Sequence, residues 1–379
     1  MKRKTKRSVT FLLVGVCLTS GIFGHAAVSY ASEESTARTL SLEEAYSLFC
    51  ESDAYRLIEL QNESDSVTVK SYSEQISSNN EVIRSESEDK TSAKNSNNTL
   101  KEKRSYAESL LESNREAREN AAYQELVTMY YELKNAEKSL ENAETNLEMV
   151  KDTYELAELK YQYGSVSKLD VLNSQIDLQK AENQVQKQEN TYRIKMMQFN
   201  SYLGLSIGTK LTLTSEPDEI SLPEGTLEEA IESALENRTE FISAEYSLSE
   251  AQRSFNSVSA YPSSSSTYLK AKIALTQAQI DYNSVENDIT IDVTEQYQGI
   301  LEKYDTIKTD KLNLQSAEEA LDLAKSRYEL GMSTLADVQS AQLTLENARS
   351  TYNDELISFR LAAENFNLCK NAGTTVVNF

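Results

Sequence analysis

Histidine is almost missing from this chain. Its one copy is His25, and tryptophan does not occur at all. Without imidazole beyond residue 25 there is no Ser-His pair and no histidine general base, and the commonest metal ligand is gone. The chain therefore reads as a non-enzyme that needs no cofactor and no metal. Proline occurs three times, as Pro217, Pro223 and Pro262, and glycine ten times. The residues that break helices are scarce, so long helices are the expected outcome. Of the three cysteines, Cys17 lies near the N-terminus and Cys50 and Cys369 lie near the two ends of the remaining chain. The latter two read as free, buried, small apolar side chains. A disulfide tying start to end is the alternative in an oxidising compartment. After the N-terminal run, no stretch approaches the ~18 apolar residues of a transmembrane helix.

The N-terminus is different in character. Lys2, Arg3, Lys4, Lys6 and Arg7 precede an apolar run from Phe11 to Phe23, and Ser29-Tyr30-Ala31 offers small residues at −3 and −1 of a cleavage site. Residues 1–31 read as a secretory signal peptide. The whole chain carries 38 basic and 60 acidic residues, a net charge of −22. Removing the five basic residues of the leader from the 38 leaves 33 against 60, a net charge of −27. That balance excludes nucleic acid and anionic lipid as partners, since both need a basic footprint.

What is present is a repeat. Tyr161-Gln162-Tyr163-Gly164-Ser165-Val166-Ser167-Lys168-Leu169-Asp170-Val171 returns as Tyr328-Glu329-Leu330-Gly331-Met332-Ser333-Thr334-Leu335-Ala336-Asp337-Val338, at a constant offset of 167. Each copy interrupts a heptad seam. Leu126, Met129, Leu133, Ala136, Leu140, Ala143, Leu147, Val150, Tyr154 and Ala157 lead into the first, and Val293, Ile300, Ile307, Leu314, Ala317, Leu321 and Ala324 lead into the second. The returning arms keep the pattern, through Leu178, Ala181, Val185 and Phe199, and through Leu345, Ala348, Tyr352 and Phe366. Gly164 and Gly331 suit the left-handed cap that ends a helix. Ser167 and Thr334 suit the N-cap of the next. Each motif is thus the tip of an antiparallel helical hairpin.

The outer ends also repeat: Leu42-Glu43-Glu44-Ala45 resembles Leu227-Glu228-Glu229-Ala230 at an offset of 185, which leaves 18 extra residues in the first repeat. They fall in a Ser/Asn-rich stretch, about 77–98, read as a polar loop; its counterpart is the loop 259–267. The expected organisation is a signal peptide 1–31, helical repeat 32–204 with tip 161–171, linker 205–225 with one short strand, helical repeat 226–373 with tip 328–338, and tail 374–379. The fold class is all-α, with few or no strands.

These features resemble the TolC family, the outer-membrane factors of tripartite efflux and type I secretion systems. The resemblance rests on the Leu-Glu-Glu-Ala openings, the doubled Tyr-x-x-Gly-x-x-[Ser/Thr]-x-x-Asp-Val turn, the seams around it, and Tyr202-Leu203-Gly204 closing the first repeat. It implies a protomer of four long helices and a homotrimer enclosing a twelve-helix tunnel. It also implies tips that dock on a hexameric adaptor of membrane-fusion type, served by an inner-membrane ABC or proton-driven transporter. On that reading Tyr161, Gly164, Ser167, Val171, Gly331, Ser333, Thr334 and Val338 belong to the docking tip. Asp337, and secondarily Asp170, match a tip aspartate that lines the entrance, and Tyr328 matches a tyrosine near the gate. A ring of carboxylates there attracts cations. The plainer reading of both aspartates is a first-turn acid stabilising a helix N-terminus.

The chain departs from the family at Ser333, where relatives can carry a gate arginine, and at Asn173 and Ser340, where a second aspartate can stand. The larger departure concerns the membrane. The family inserts four β-strands per protomer where this chain has its two polar loops, and 259–267 is too short and too rich in hydroxyls for a pair of membrane strands. We expect the tunnel helices without the outer-membrane barrel, which suits a surface- or wall-associated conduit. The competing reading is a non-pore structural coiled-coil protein of the cell envelope.

Overall fold

The computed structural model describes residues 38–85, 90–216 and 221–378. The expected signal peptide lies outside them. Among the described residues there are eight helices: α1 Leu42–Cys50, α2 Asp53–Arg84, α3 Lys90–Gln162, α4 Lys168–Tyr202, α5 Leu227–Asn237, α6 Thr239–Val258, α7 Ser266–Glu329 and α8 Leu335–Cys369. The fold is all-α, two tandem repeats of long helical hairpins. The two Leu-Glu-Glu-Ala openings start α1 and α5, each behind a full capping box, from Ser41 to Glu44 and from Thr226 to Glu229. Such a box satisfies two of the donors that a helix start leaves orphaned.

The long helices organise everything else. At 1.5 Å per residue, the 73 residues of α3 extend about 110 Å. Its first half packs against α2 and its second half against α4. In the same way α7 packs first against α6 and then against α8. Contacts of α3 with α8 and with α6 join the repeats. Toward the tips the helices therefore lie in the order α4–α3–α8–α7, and toward the other end in the order α2–α3–α6–α7. In both halves α7 is an outer helix.

The waist between the halves holds the largest side chains. Phe49, Tyr130, Tyr131, Leu133, Phe199 and Leu203 form the first-repeat core. Ile289, Val293, Ile300, Phe359 and Phe366 form the second. A small parallel sheet sits on the first core: β1 Arg38–Leu40 pairs with β2 Leu211–Leu213, Leu40 opposite Leu213. The expected linker strand is β2. Its partner β1 carries no pattern longer than three residues, which is why the sequence did not mark it. Two polar groups on α3 pin the sheet. The Tyr130 hydroxyl donates to Leu40 O at 3.0 Å and accepts from Ser215 N at 2.9 Å. The buried Lys134 ammonium donates to Leu213 O at 3.0 Å and pairs with Glu216 at 2.8 Å and Glu137 at 3.1 Å. Burial alone would lower the Lys134 pKa, but these carboxylates more than offset it and raise it.

The polar loop expected at about 77–98 needs correction. It is helical to Arg84 and again from Lys90. Its serines and asparagines pair across the two helices: Asn79 donates to Ser96 at 3.3 Å and Asn97 to Asn80 at 2.9 Å, between the buried Ile76 and Ala93. Cross-helix packing overrules the weak helix propensity of these residues. The 18 extra residues thus lengthen a hairpin, and α3 exceeds the 64-residue α7 accordingly. The counterpart loop holds: α6 stops at Val258 and α7 starts at Ser266 behind its cap Ser265.

Among the described residues, β1 and β2 are the only strands, and no helix is long and apolar enough to cross a membrane. The membrane strands of the TolC resemblance have no counterpart there. The two cysteines are free. Cys369 is buried in the second core, where its thiol, pushed up to about 12 by burial and then by Asp292, donates to that carboxylate at 3.3 Å. Cys50 lies at the end of α1 beside Tyr46, on the first core.

The described part of the tail is bound at Thr375 and Val377. Asn114 of α3 donates to Val377 O at 2.8 Å and its oxygen accepts from Val377 N at 2.9 Å. Asn120 donates to Gly373 O and Thr239 to Thr375 O. The tail is a strap between the repeats, a role with no sequence signal.

Candidate functional site at the hairpin tips

Both tips are built by the same local chemistry. Gly164 and Gly331 adopt φ of 71° and 72°. In the first tip Ser165 N donates to Lys160 O, and in the second Met332 N donates to Arg327 O, each at 2.8 Å. A left-handed glycine closing six residues in this way satisfies the last carbonyls of the helix. The returning helices begin with capping boxes. Asp170 accepts from Ser167 N at 2.8 Å and from its hydroxyl at 2.7 Å. Asp337 accepts from Thr334 N at 2.8 Å, from its hydroxyl at 2.7 Å, and from Ser333 at 3.3 Å. These bonds hold both carboxyls below the usual carboxylate range: the Ser167 hydroxyl and backbone for Asp170, the Thr334 backbone and hydroxyl for Asp337. Both aspartates thus serve as N3 capping residues, the plainer of the two roles read from sequence. Ser333 spends its hydroxyl on the same carboxylate.

The two tips differ in cover. Tyr161 is 46% exposed, whereas its repeat partner Tyr328 is 5% exposed. Tyr328 packs in an apolar cluster with Leu321, Val338 and Leu345, and Lys160, in the last turn of α3, covers its ring. The Lys160 ammonium donates to Tyr328 O at 3.0 Å and lies 3.4 Å from the centre of the Tyr328 ring. This is a cation–π contact combined with a cation at a helix C-terminus. Burial, and then the charge of Asp170, raise the Tyr328 pKa. Val338 is buried behind it with Leu321 and Leu345, against Leu156 of α3. Two further bonds link the repeats above the tips: Gln339 donates to Asp177 at 2.8 Å and Gln342 to Thr153 at 3.3 Å. The tips of one chain therefore form one joined platform. On its surface stand Tyr163 at 78%, Leu330 at 72% and Met332 at 69% exposure. Sequence reasoning placed these three within the tip turns without singling them out, and it missed Lys160. The apolar residues fall inside the turn, where pattern analysis expects polar ones, and Lys160 acts across repeats.

Comparison with known proteins follows the geometry. No curated protein sequence matches the chain. Several solved structures do, at low identity. VceC of Vibrio cholerae, an outer membrane protein, matches with a TM-score of 0.63 and 14% identity, over 88% of this chain and 97% of that one. The outer membrane channel MtrE of Neisseria gonorrhoeae, in its open state, matches with 0.63 and 12%, over 88% and 91%. A membrane protein from Pseudomonas aeruginosa matches with 0.66 and 13%, over 88% and 90%. These likenesses show the fold. The sequence profile of outer membrane efflux proteins matches residues 90–205 and 263–364, both hairpins with both tips, which together exceed half of the chain. The chain belongs to the outer membrane efflux protein family.

Proposed function

We propose that the chain is an exported subunit of an efflux or secretion conduit of the cell envelope. Three copies close a twelve-helix tunnel. Its tips meet a membrane-fusion-type adaptor, and an inner-membrane ABC or proton-driven transporter supplies the cargo. The observation that carries this reading is the open helical layer. Four helices side by side, bridged near the tips from α8 to α4 and from α3 to α7, enclose no tunnel on their own, and both edges of this layer are apolar. In the tip half, the outer helix α4 exposes Leu169, Leu172, Ile176 and Ile194, and α7 exposes Leu312 and Leu323. In the other half α2 exposes Leu57, Leu60 and Val67, and α7 exposes Leu269, Ile273, Ile280 and Ile291. Exposed apolar stripes of this length mark interaction surfaces. A lone spacer has no use for two of them on opposite edges.

On this reading Tyr163, Leu330 and Met332 form the apolar part of the adaptor-facing end, together with the turn residues from Tyr161 to Val171 and from Tyr328 to Val338. Asp337 and Asp170 rim the entrance. Their capping bonds leave the carboxylates ionised, so capping and a charged rim are compatible roles. With Ser333 in place of an arginine, the cation at Tyr328 is Lys160. The test is the native mass of residues 32–379 at tens of micromolar, in plain buffer and in mild detergent. A trimer is expected. A monomer or dimer in both, with or without adaptor, leaves no way to close the ring and moves the assignment to a structural spacer.

A further inference from the structure

We infer that the waist carries a docking surface of its own, an apolar groove on α5 that receives an amphipathic helix of another protein, basic on one face. The groove measures about 400 Å³ and is lined by Ile231, Leu235 and Phe241, with Glu228, Glu232 and Glu236 beside them. The opposite face of α5 is anchored: Ala230 and Ala234 are buried in the second core with Ile289, Val293 and Ile300. The groove lies at the waist and requires neither a trimer nor docking at the tips.

The duplication shows this face to be unfinished. In the first repeat Tyr46 of α1 meets Tyr123 of α3 edge to face, ring centres 5.3 Å apart, and both pack on the first core. The offset of 185 carries Tyr46 to Ile231, and the offset of 167 carries Tyr123 to Thr290. Two rings have become two smaller side chains. What the first repeat covers with its own aromatics, the second leaves as a groove with a half-buried apolar floor. A floor of this kind is completed by an apolar anchor from outside.

The rim sets the charge of the occupant. Glu228, Glu232 and Glu236 are exposed and stand on successive turns of α5, about 6 Å apart along its axis. No lysine or arginine occurs from Leu211 to Asn237. The next cation, Arg238, is held by Asp292 at 2.6 Å and Glu240 at 3.0 Å. Among the described residues, no ion pair engages the three rim carboxylates. Lysine or arginine at every fourth position of a helix lying along α5 repeats at the same spacing of about 6 Å. Such a helix answers the row with its charges while its apolar face enters the groove. A neutral lipid or apolar small molecule would leave the row unanswered.

The probe is a fluorescein-labelled peptide of about 18 residues, built from Lys, Leu and Phe so that one helical face is basic and the other apolar. It is titrated with residues 32–379 in their native assembly and read by fluorescence anisotropy. Saturable binding is expected, and a shuffled peptide of the same composition should bind about tenfold more weakly. Glu228→Gln, Glu232→Gln and Glu236→Gln together should raise the dissociation constant by about tenfold or more. Glu59→Gln, Glu63→Gln and Glu112→Gln together, on the groove between α2 and α3, should leave it within about twofold. All six glutamates are exposed, so both variants keep the fold. Refilling the groove after the pattern of the first repeat, by Ile231→Tyr with Thr290→Tyr, should abolish binding in a chain whose helical circular dichroism is unchanged. No saturable binding to the unaltered chain, or an equal loss in the two glutamine variants, overturns the inference. Binding that splits a native assembly into monomers assigns the groove to a second copy. Binding blocked when residues 1–31 are kept assigns it to the chain's own leader. Either result overturns the partner helix.

Discussion

Asp337 accepts three hydrogen bonds at the start of α8, and Asp170 does the same work at the start of α4 with two. A carboxyl held below its ordinary pKa contributes stability that is fully present above that ordinary value, near 3.9, and is lost as the pH falls through the folded value. Amide protection in the first turns of α4 and α8 should therefore hold at neutral pH and decline only below about pH 4. Asp170→Asn and Asp337→Asn should each flatten that dependence in their own turn. Hydrogen exchange resolved to residues 168–171 and 335–338 measures it; a decline that persists in both variants contradicts the assignment. The caps were legible in the sequence because they are local: Ser167 and Asp170 are three residues apart, as are Thr334 and Asp337. Lys160 over Tyr328 was not, because nothing in either motif marks a contact made across 168 residues.

Elements follow the same division. The seams from Leu126 to Ala157 and from Val293 to Ala324 predicted α3 and α7: the first is an unbroken three-four pattern, and the second repeats it with polar residues only at Gln296, Lys303 and Asp310. The segment 77–98 misled for the opposite reason. Its serines and asparagines have no periodic apolar signal, and only their pairing across α2 and α3 makes them helical. The strap was equally silent. Asn114 is a lone polar residue 1% exposed, and its amide bonds both backbone groups of Val377. Asn114→Ala leaves those groups without partners inside the fold, at a cost of about 1–3 kcal/mol. The expected result is a lowered unfolding midpoint and a tail open to carboxypeptidase, while Asn114→Asp keeps the acceptor and loses less. If the alanine variant melts and digests as the unaltered chain does, the strap is incidental.

For the molecule as a whole, the helical repeat architecture could be read from residue order, but the order of helices within the layer could not. Which helix lies outermost depends on contacts of α3 with α6 and α8 that no heptad pattern names. On the trimer proposed above, that order makes the exposed stripes an interface. Thermal unfolding should accordingly shift upward with protein concentration, since association stabilises only the folded chain; a midpoint independent of concentration over a hundredfold range argues against assembly. The unequal arms carry a last consequence. The nine residues by which α3 exceeds α7 are worth about 13 Å. In the trimer proposed above, the two mouths would differ in symmetry. Six nearly identical turns at one end would form a pseudo-hexagonal face. At the other end tall and short prongs would alternate, leaving a three-pointed rim on which only a threefold cap sits level.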